Sequence, residues 1–383
     1  MSPRQIFVAI ALALASRTAA AADVGPPGEA LSVETHGFVS PGFIVTTDNN
    51  YLAKSKRGSF EFTEVGMNFT VPLTDRLRTG MQLFAHDLGP VGNYTAKLDW
   101  YYLDYRFEDW LGLRAGRVKI PFGLYNDTSD IDAARVPVLL PQSIYSLQNR
   151  DLLLAQTGVE FYGRTDMRSL GALAYSFYGG TIFLDAATQS SVGTQVTSID
   201  IPYVVGQRVM WETPVEGLRV GGSLQALRLD ATFTVNSRPT SIELPAKLSV
   251  GSIEYSARDL LLAAEYSRWY VRVKTLDGGF PEVSAVSERG YGMVSYRVSN
   301  WFQPGAYYSL FYPDMNRRSG PAAMQHDVAA TLRFDINNYW LVKLEGHFMS
   351  GTAGLNKALN DNKPLDTLER TWGVFLAKTT AHF

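Results

Sequence analysis

Five histidines are the first residues to weigh for chemistry: His36, His86, His326, His347 and His382. No two stand in an H-x-x-x-H or HExxH spacing, so no pair of imidazoles meets a metal from one element. There is no cysteine, which removes thiolate ligands, disulfides and a cysteine nucleophile. Nucleophilic catalysis needs Ser, His and an acid brought together, and no G-x-S-x-G motif occurs. Glu345 and His347 share one face two residues apart, which makes them neighbours and not a site. No GxxxxGK[ST] phosphate loop is present, and "GRVKIPFG" (116–123) lacks the glycine spacing to cradle a phosphate. These residues predict no enzyme, no cofactor and no metal.

Charge is more concentrated elsewhere. The stretch "FGLYNDTSDIDAARVPVLLPQSIYSLQNRDLLLA" (122–155) carries Asp127, Asp130 and Asp132, then Arg135, Arg150 and Asp151. What such charges can do depends on the elements that hold them.

Those elements alternate with period two. In "NNYWLVKLEGHF" Trp340, Val342, Leu344, Gly346 and Phe348 form one face, and Leu341, Lys343, Glu345 and His347 the other. "HDVAATLRFD" sets Val328, Ala330, Leu332 and Phe334 against Asp327, Ala329, Thr331 and Arg333. Such alternation over about ten residues is a strand signature. Repeated along the chain, it predicts sixteen strands, near 33–46, 58–73, 76–87, 94–107, 110–121, 156–163, 168–178 and 203–213. The remainder fall near 217–229, 247–256, 260–274, 286–298, 301–312, 324–335, 339–350 and 371–383.

Short turns such as "LTDR" (73–76), "FEDW" (107–110) and "VSNW" (298–301) alternate strictly with long links. Among the long links are 122–155, 179–202 and 230–246. This predicts an all-β, antiparallel, up-and-down transmembrane barrel of about 16 strands, with its two rims in different compartments.

The ends of the chain agree. "MSPRQIFVAIALALASRTAAAAD" has a basic start, an apolar core of ten residues and a small-residue cleavage site, which reads as a signal peptide over 1–22. Residues 23–383 then form one barrel domain. Removing Arg4 and Arg17 leaves 35 − 2 = 33 basic residues against 37 acidic, a net of about −4. That excess does not suit nucleic acid.

An Arg or Lys at the bilayer midplane costs about 2–4 kcal/mol. Arg333, Lys343 and Glu345 are therefore expected to point inward to water, with the apolar face on outer-membrane lipid. Trp110, Trp211, Trp301 and Trp340 sit at short turns, as in an interfacial girdle.

The chain resembles the Gram-negative porins, and within them the phosphate-selective porin superfamily and its uncharacterised relatives. The segments that carry the resemblance are "WYYLDYRFEDWLGLRAGRVKIPFGLYN" (100–126) and "RFDINNYWLVKLEGHF" (333–348). It implies a sixteen-stranded homotrimeric channel in the outer membrane, whose third long loop folds into the lumen. It also implies that the terminal Phe383 is read by the barrel-assembly machinery.

On that basis 122–155 is expected to enter the lumen, its Asp127, Asp130, Asp132, Arg135 and Arg150 facing wall residues across a constriction. The wall candidates are Arg76, Arg78, Arg114, Arg219, Arg333, Lys343 and Glu345. The alternative is an outward loop packed on a neighbouring subunit, and the apolar "VPVLL" (136–140) suits either. Anion channels use rings of Arg and Lys, and this loop begins with three Asp. The expectation is therefore passive diffusion of small hydrophilic solutes or ions, not a dedicated phosphate channel. A closed barrel serving adhesion, or an outer-membrane enzyme, is the competing reading.

Overall fold

The computed structural model describes residues 22–24, 31–89, 91–184, 194–235, 238–276 and 281–383. Apart from Ala22, the expected signal peptide lies outside the described residues. A short strand, Ala22–Val24, pairs with Leu31–Val33 ahead of the barrel proper.

Sixteen strands form the barrel: β1 Leu31–Thr46, β2 Thr63–Pro72, β3 Leu77–Asp87, β4 Lys97–Glu108, β5 Leu111–Lys119, β6 Ala155–Asp166, β7 Ala172–Thr181 and β8 Thr194–Glu212. They continue as β9 Leu218–Val235, β10 Arg238–Ala257, β11 Leu260–Thr275, β12 Val283–Tyr296, β13 Phe302–Tyr312, β14 Gln325–Asn337, β15 Trp340–Gly351 and β16 Thr371–His382. Each strand pairs antiparallel with its sequence neighbour, and β16 closes on β1 through Val374↔Thr46 and Ala381↔Val39. Closure leaves no unpaired edge, the condition for a sheet to exist in lipid.

Two differences from the expected boundaries have a physical reason. The second strand begins at Thr63, because 47–62 folds into a compact loop with a 3-10 turn at Ser55–Arg57. The link expected at 230–246 is mostly strand, since Val235 pairs with Arg238. The strands β8, β9 and β10 run 19, 18 and 20 residues. About 10 tilted residues cross a bilayer, so this sector stands well above the membrane on the long-link side. Polar residues such as Asp230, Thr232 and Ser241 in that extension look like loop in sequence.

Alternation sorts the two faces as expected. Val328, Phe348 and Phe375 are exposed outward, while Lys343, Glu345 and Leu376 are buried inward. Trp110, Trp211, Trp301 and Trp340 are all exposed on the short-turn rim. The chain end is pinned there. Phe383 donates its backbone N–H to the Gly37 carbonyl at 3.0 Å, and its ring covers Gly37, where a Cβ would lie 2.7 Å from Cζ.

Candidate pore and its internal loop

Between β5 and β6 the chain turns into the lumen. Ile120 N–H bonds the Leu154 carbonyl at 2.8 Å and closes the loop at its base. Asn126 reinforces that neck, donating from Nδ2 to the carbonyls of Ile120 and Leu153 at 2.8 and 2.9 Å. Inside the loop the Tyr145 hydroxyl accepts from the backbone N–H groups of Leu124 and Tyr125, and donates to Glu265 of β11. One ring oxygen thus ties two loop arms to the wall.

The apolar run 136–140 acts as a wedge between two clusters. Val138 and Leu139 pack with Ile44, Tyr51, Phe62, Trp372 and Leu376. Leu140 joins Ile120, Phe122, Ile144 and Leu153 of the loop, against wall residues including Leu227, Leu248, Tyr291 and Met293. Burying each large apolar side chain contributes about 1.5–3 kcal/mol. A lumen filled with water would not carry Leu227, Leu248 and Met293 on its inner phase; this wall is built to receive the loop.

Charged groups complete the anchoring. Asp132 lies 3.1 Å from Lys343 Nζ, 3.7 Å from Lys378 Nζ and 3.6 Å from Arg135, and accepts from the Thr380 hydroxyl at 2.7 Å. Lys343 also donates to the carbonyls of Asp132 and Arg135 at 2.7 and 2.8 Å. Glu345 accepts from the N–H groups of Val138 and Leu139 at 2.7 and 2.9 Å. Arg333 donates to the carbonyls of Ala133 and Arg135 at 2.8 and 3.0 Å, and pairs with Asp335 at 2.8 Å. Arg135 reaches Glu64 at 3.8 Å, and Glu64 pairs in turn with Lys378. Burial pushes the Asp132 carboxyl up, but Lys343, Lys378 and Arg135 overcome it and hold the group well below the usual carboxylate range.

The opposite edge is tied to β3–β5. Asp130 accepts from Lys119 at 2.6 Å and Gln82 at 2.7 Å. Arg150 grips Asp99 with two bonds, 2.9 and 2.6 Å, and lies 4.1 Å over the Phe84 ring. Burial alone would raise the Asp130 carboxyl; Lys119 and Arg150 hold it low.

Loop charges were expected to face wall residues across a constriction; for Asp130, Asp132, Arg135, Arg150, Arg333, Lys343 and Glu345 no open gap separates the two sides. They meet their partners directly, and Asp130, Asp132, Lys343 and Glu345 are almost wholly sealed from solvent. Arg76 is corrected too: it lies exposed in a short turn, with Nη1 on the Phe107 carbonyl at 3.2 Å.

Of the remaining candidates, Asp127, Arg114 and Arg219 face open space and Arg78 pairs with Asp104. A cavity of about 840 Å³ lies on the short-turn side of the loop. Arg114, Arg208, Arg219, Glu160 and Asp127 line it, with Trp100, Tyr102 and Tyr162. Asp127 pairs across it with Arg208 at 2.7 Å, and Arg219 with Glu254 at 2.8 Å. Arg114 bonds Asp104 and Glu160 at 3.2 and 3.1 Å, and Arg78 bonds the same Asp104 at 2.7 Å.

A second cavity, about 210 Å³, lies on the long-link side, against Gln142, Ser143, Ser146, Arg289 and Phe311. A gap of about 30 Å³, bounded by Glu64, Arg135, Gln142, Ser146 and Arg150, shares Gln142 and Ser146 with this second cavity. The gap is the volume of about one water.

Sequence reasoning missed Glu64, Asp99, Asp104, Lys119, Arg208, Glu265 and Lys378. All but Lys119 and Asp99 show a legible signal, a charge on the inward phase of a strand; Asp99 has the outward phase and is turned inward by a bulge opposite Gln82 and Leu83. Their height relative to the loop depends on barrel shear, which no single strand encodes. In sequence His347 is only a neighbour of Glu345 on one strand face. It bonds Glu345 through Nε2 at 3.0 Å and Asp327 through Nδ1 at 2.9 Å, bridging two acids.

No protein-family profile matches the chain, and no curated protein matches it in sequence. Solved structures do match in shape. An anion-selective porin from Comamonas acidovorans superposes with a TM-score of 0.56 at 12% identity, covering 92% of this chain and 100% of that one. Salmonella typhi OmpF, in complex with daunomycin, gives 0.56 at 14%, with 94% and 100% covered. Vibrio cholerae OmpT gives 0.57 at 11%, with 94% and 100% covered. The fold is that of the outer-membrane porins. At these identities the likeness speaks for architecture, and it includes the whole length of each porin-fold chain.

Proposed function

We propose that this chain is a passive porin of a Gram-negative outer membrane, admitting small hydrophilic solutes or ions past its internal loop. What supports the reading is the pair of cavities on opposite faces of the loop, both lined by charged and polar side chains, inside a closed sixteen-stranded barrel. The large cavity has no excess of sign: it carries Lys119, Arg114, Arg208 and Arg219 against Asp127, Glu160, Glu212 and Glu254, four and four. Weak ion preference is expected, in keeping with a general pore and not a phosphate channel. A homotrimer is part of the proposal, supported by the trimer form in which Vibrio cholerae OmpT was solved. Assembly through Phe383 is part of it as well.

The closed-barrel reading draws on the completeness of the anchoring, since the loop meets the wall around the lumen. An enzymatic role finds little support at His347, both of whose nitrogens are committed to carboxylates. The refolded protein in a planar bilayer under a salt gradient tests the proposal. Stepwise conductance with a small reversal potential is expected. A silent but folded barrel would establish the closed reading instead.

A further inference from the structure

Arg289 differs from the other inward-facing arginines around the loop. It sits on β12 between Ser287 and Tyr291, with its guanidinium carbon 4.5 Å from the Trp269 ring centroid and 4.9 Å from that of Phe311. Its hydrogen bonds are long and neutral: Nε to the Ser287 hydroxyl at 3.3 Å and Nη1 to the Ser143 carbonyl at 3.4 Å. Arg78, Arg114, Arg135, Arg150, Arg208, Arg219 and Arg333 each have a carboxylate within 4.0 Å. Among the described residues Arg289 has none at that distance.

Two aromatic faces compensate a cation in part. They leave the planar fork of N–H donors, which is matched to a carboxylate, without its natural acceptor. That fork borders the 210 Å³ cavity on the long-link face, where the remaining polar lining is chiefly neutral amides and hydroxyls. The one acid lining it, Asp327, is already engaged by His347 and Tyr307.

We propose that this cavity is a binding site for a small organic carboxylate at the outer mouth of the barrel, with Arg289 holding the carboxylate and Gln142, Ser146 and Gln325 within its polar lining. The volume, on the order of seven waters, limits the ligand to a few carbons. A cation would meet Arg289, and an uncharged sugar would leave the guanidinium without its acceptor. The inference deepens the porin reading by naming a solute class, yet binding itself needs no conduction.

Isothermal titration of the detergent-refolded full chain with acetate, lactate and succinate tests it apart from conductance. Saturable binding is expected in the wild type, weakened about tenfold or more in R289Q. R289K keeps the charge and loses the fork, so an intermediate affinity is expected, and it serves should R289Q fail to refold. No saturable binding in the wild type, equal affinity in both variants, or tighter binding of inorganic phosphate than of any carboxylate would overturn the assignment. A barrel that binds carboxylate but never conducts would leave this site standing and remove the porin reading alone.

Discussion

The two edges of the internal loop use the same residue types for opposite work. Along β14, β15 and β16, Asp132, Lys343, Lys378 and Glu345 are packed dry beneath the 136–140 wedge. Across the lumen, Asp127, Arg208, Arg114 and Arg219 pair just as closely but border a cavity of about 840 Å³. Pair distances barely distinguish them: 3.1 Å for Asp132–Lys343 and 2.7 Å for Asp127–Arg208. What differs is access to water, and with it the consequence of losing a partner. On the dry edge an orphaned charge has no solvent to turn to. On the wet edge it does, and its field reaches a passing ion.

The largest effect is therefore expected from Asp132→Asn. It leaves Lys343 and Lys378 without their shared acid, and breaking such a buried arrangement costs about 3–5 kcal/mol. Urea unfolding of the refolded barrel should show that loss. Conductance should rise as the loop leaves the wall, and 122–155 should become open to protease. A change in ion preference at unaltered stability would mean that Asp132 belongs to the wet edge and would end the comparison.

Acid probes the same edge without mutation. Asp132 and Asp130 are held below the ordinary carboxylate value, so their contribution is complete above the unfolded value of about 3.9. It is lost only as pH falls through the lowered folded values. The contribution of Asp130 and Asp132 should stay flat from pH 8 to about 5, with the loop release that their protonation causes confined to below about 4. A transition near pH 6 would show that another group governs the anchor.

The wet edge should respond in selectivity. Arg208→Gln and Asp127→Asn each remove half of one solvent-facing pair, whose contribution to stability is about 0–1 kcal/mol. Starting from four cations and four anions, the first should move the reversal potential toward cations and the second toward anions. Shifts of the same sign would mean that the variants act by moving the loop and not through their charge.

Why one edge is dry was only partly legible in the sequence. Period two, the short-turn Trp rim and the long 122–155 link suffice for strand number, closure and the identity of the loop. The run "VPVLL" marked something apolar, but its receiving wall is scattered over strands that include β1, β9, β10, β12, β15 and β16. Each of these contributes one to three inward apolar residues, such as Leu227 or Leu248, which read locally as lapses in a polar face. Only closure gathers them. Lys343 points inward as its phase requires, but inward is not wet beneath the loop.

Height along the barrel axis is the other quantity hidden from a linear reading, and Arg76 isolates it. Arg76 and Arg78 have the same inward phase in sequence, yet Arg78 bonds Asp104 inside the wall while Arg76 lies in the turn, exposed, on a backbone carbonyl. Arg76→Ala should change stability by no more than about 0.5 kcal/mol. It should also leave the reversal potential where it is, because at about 0.15 M salt a charge beyond about 8 Å of water is largely screened. Measured beside Arg208→Gln in the same bilayers, it sets the floor of the series. A shift from Arg76→Ala as large as that from Arg208→Gln would place the selectivity-setting field at the short-turn rim, and the loop would no longer be where ions are sorted.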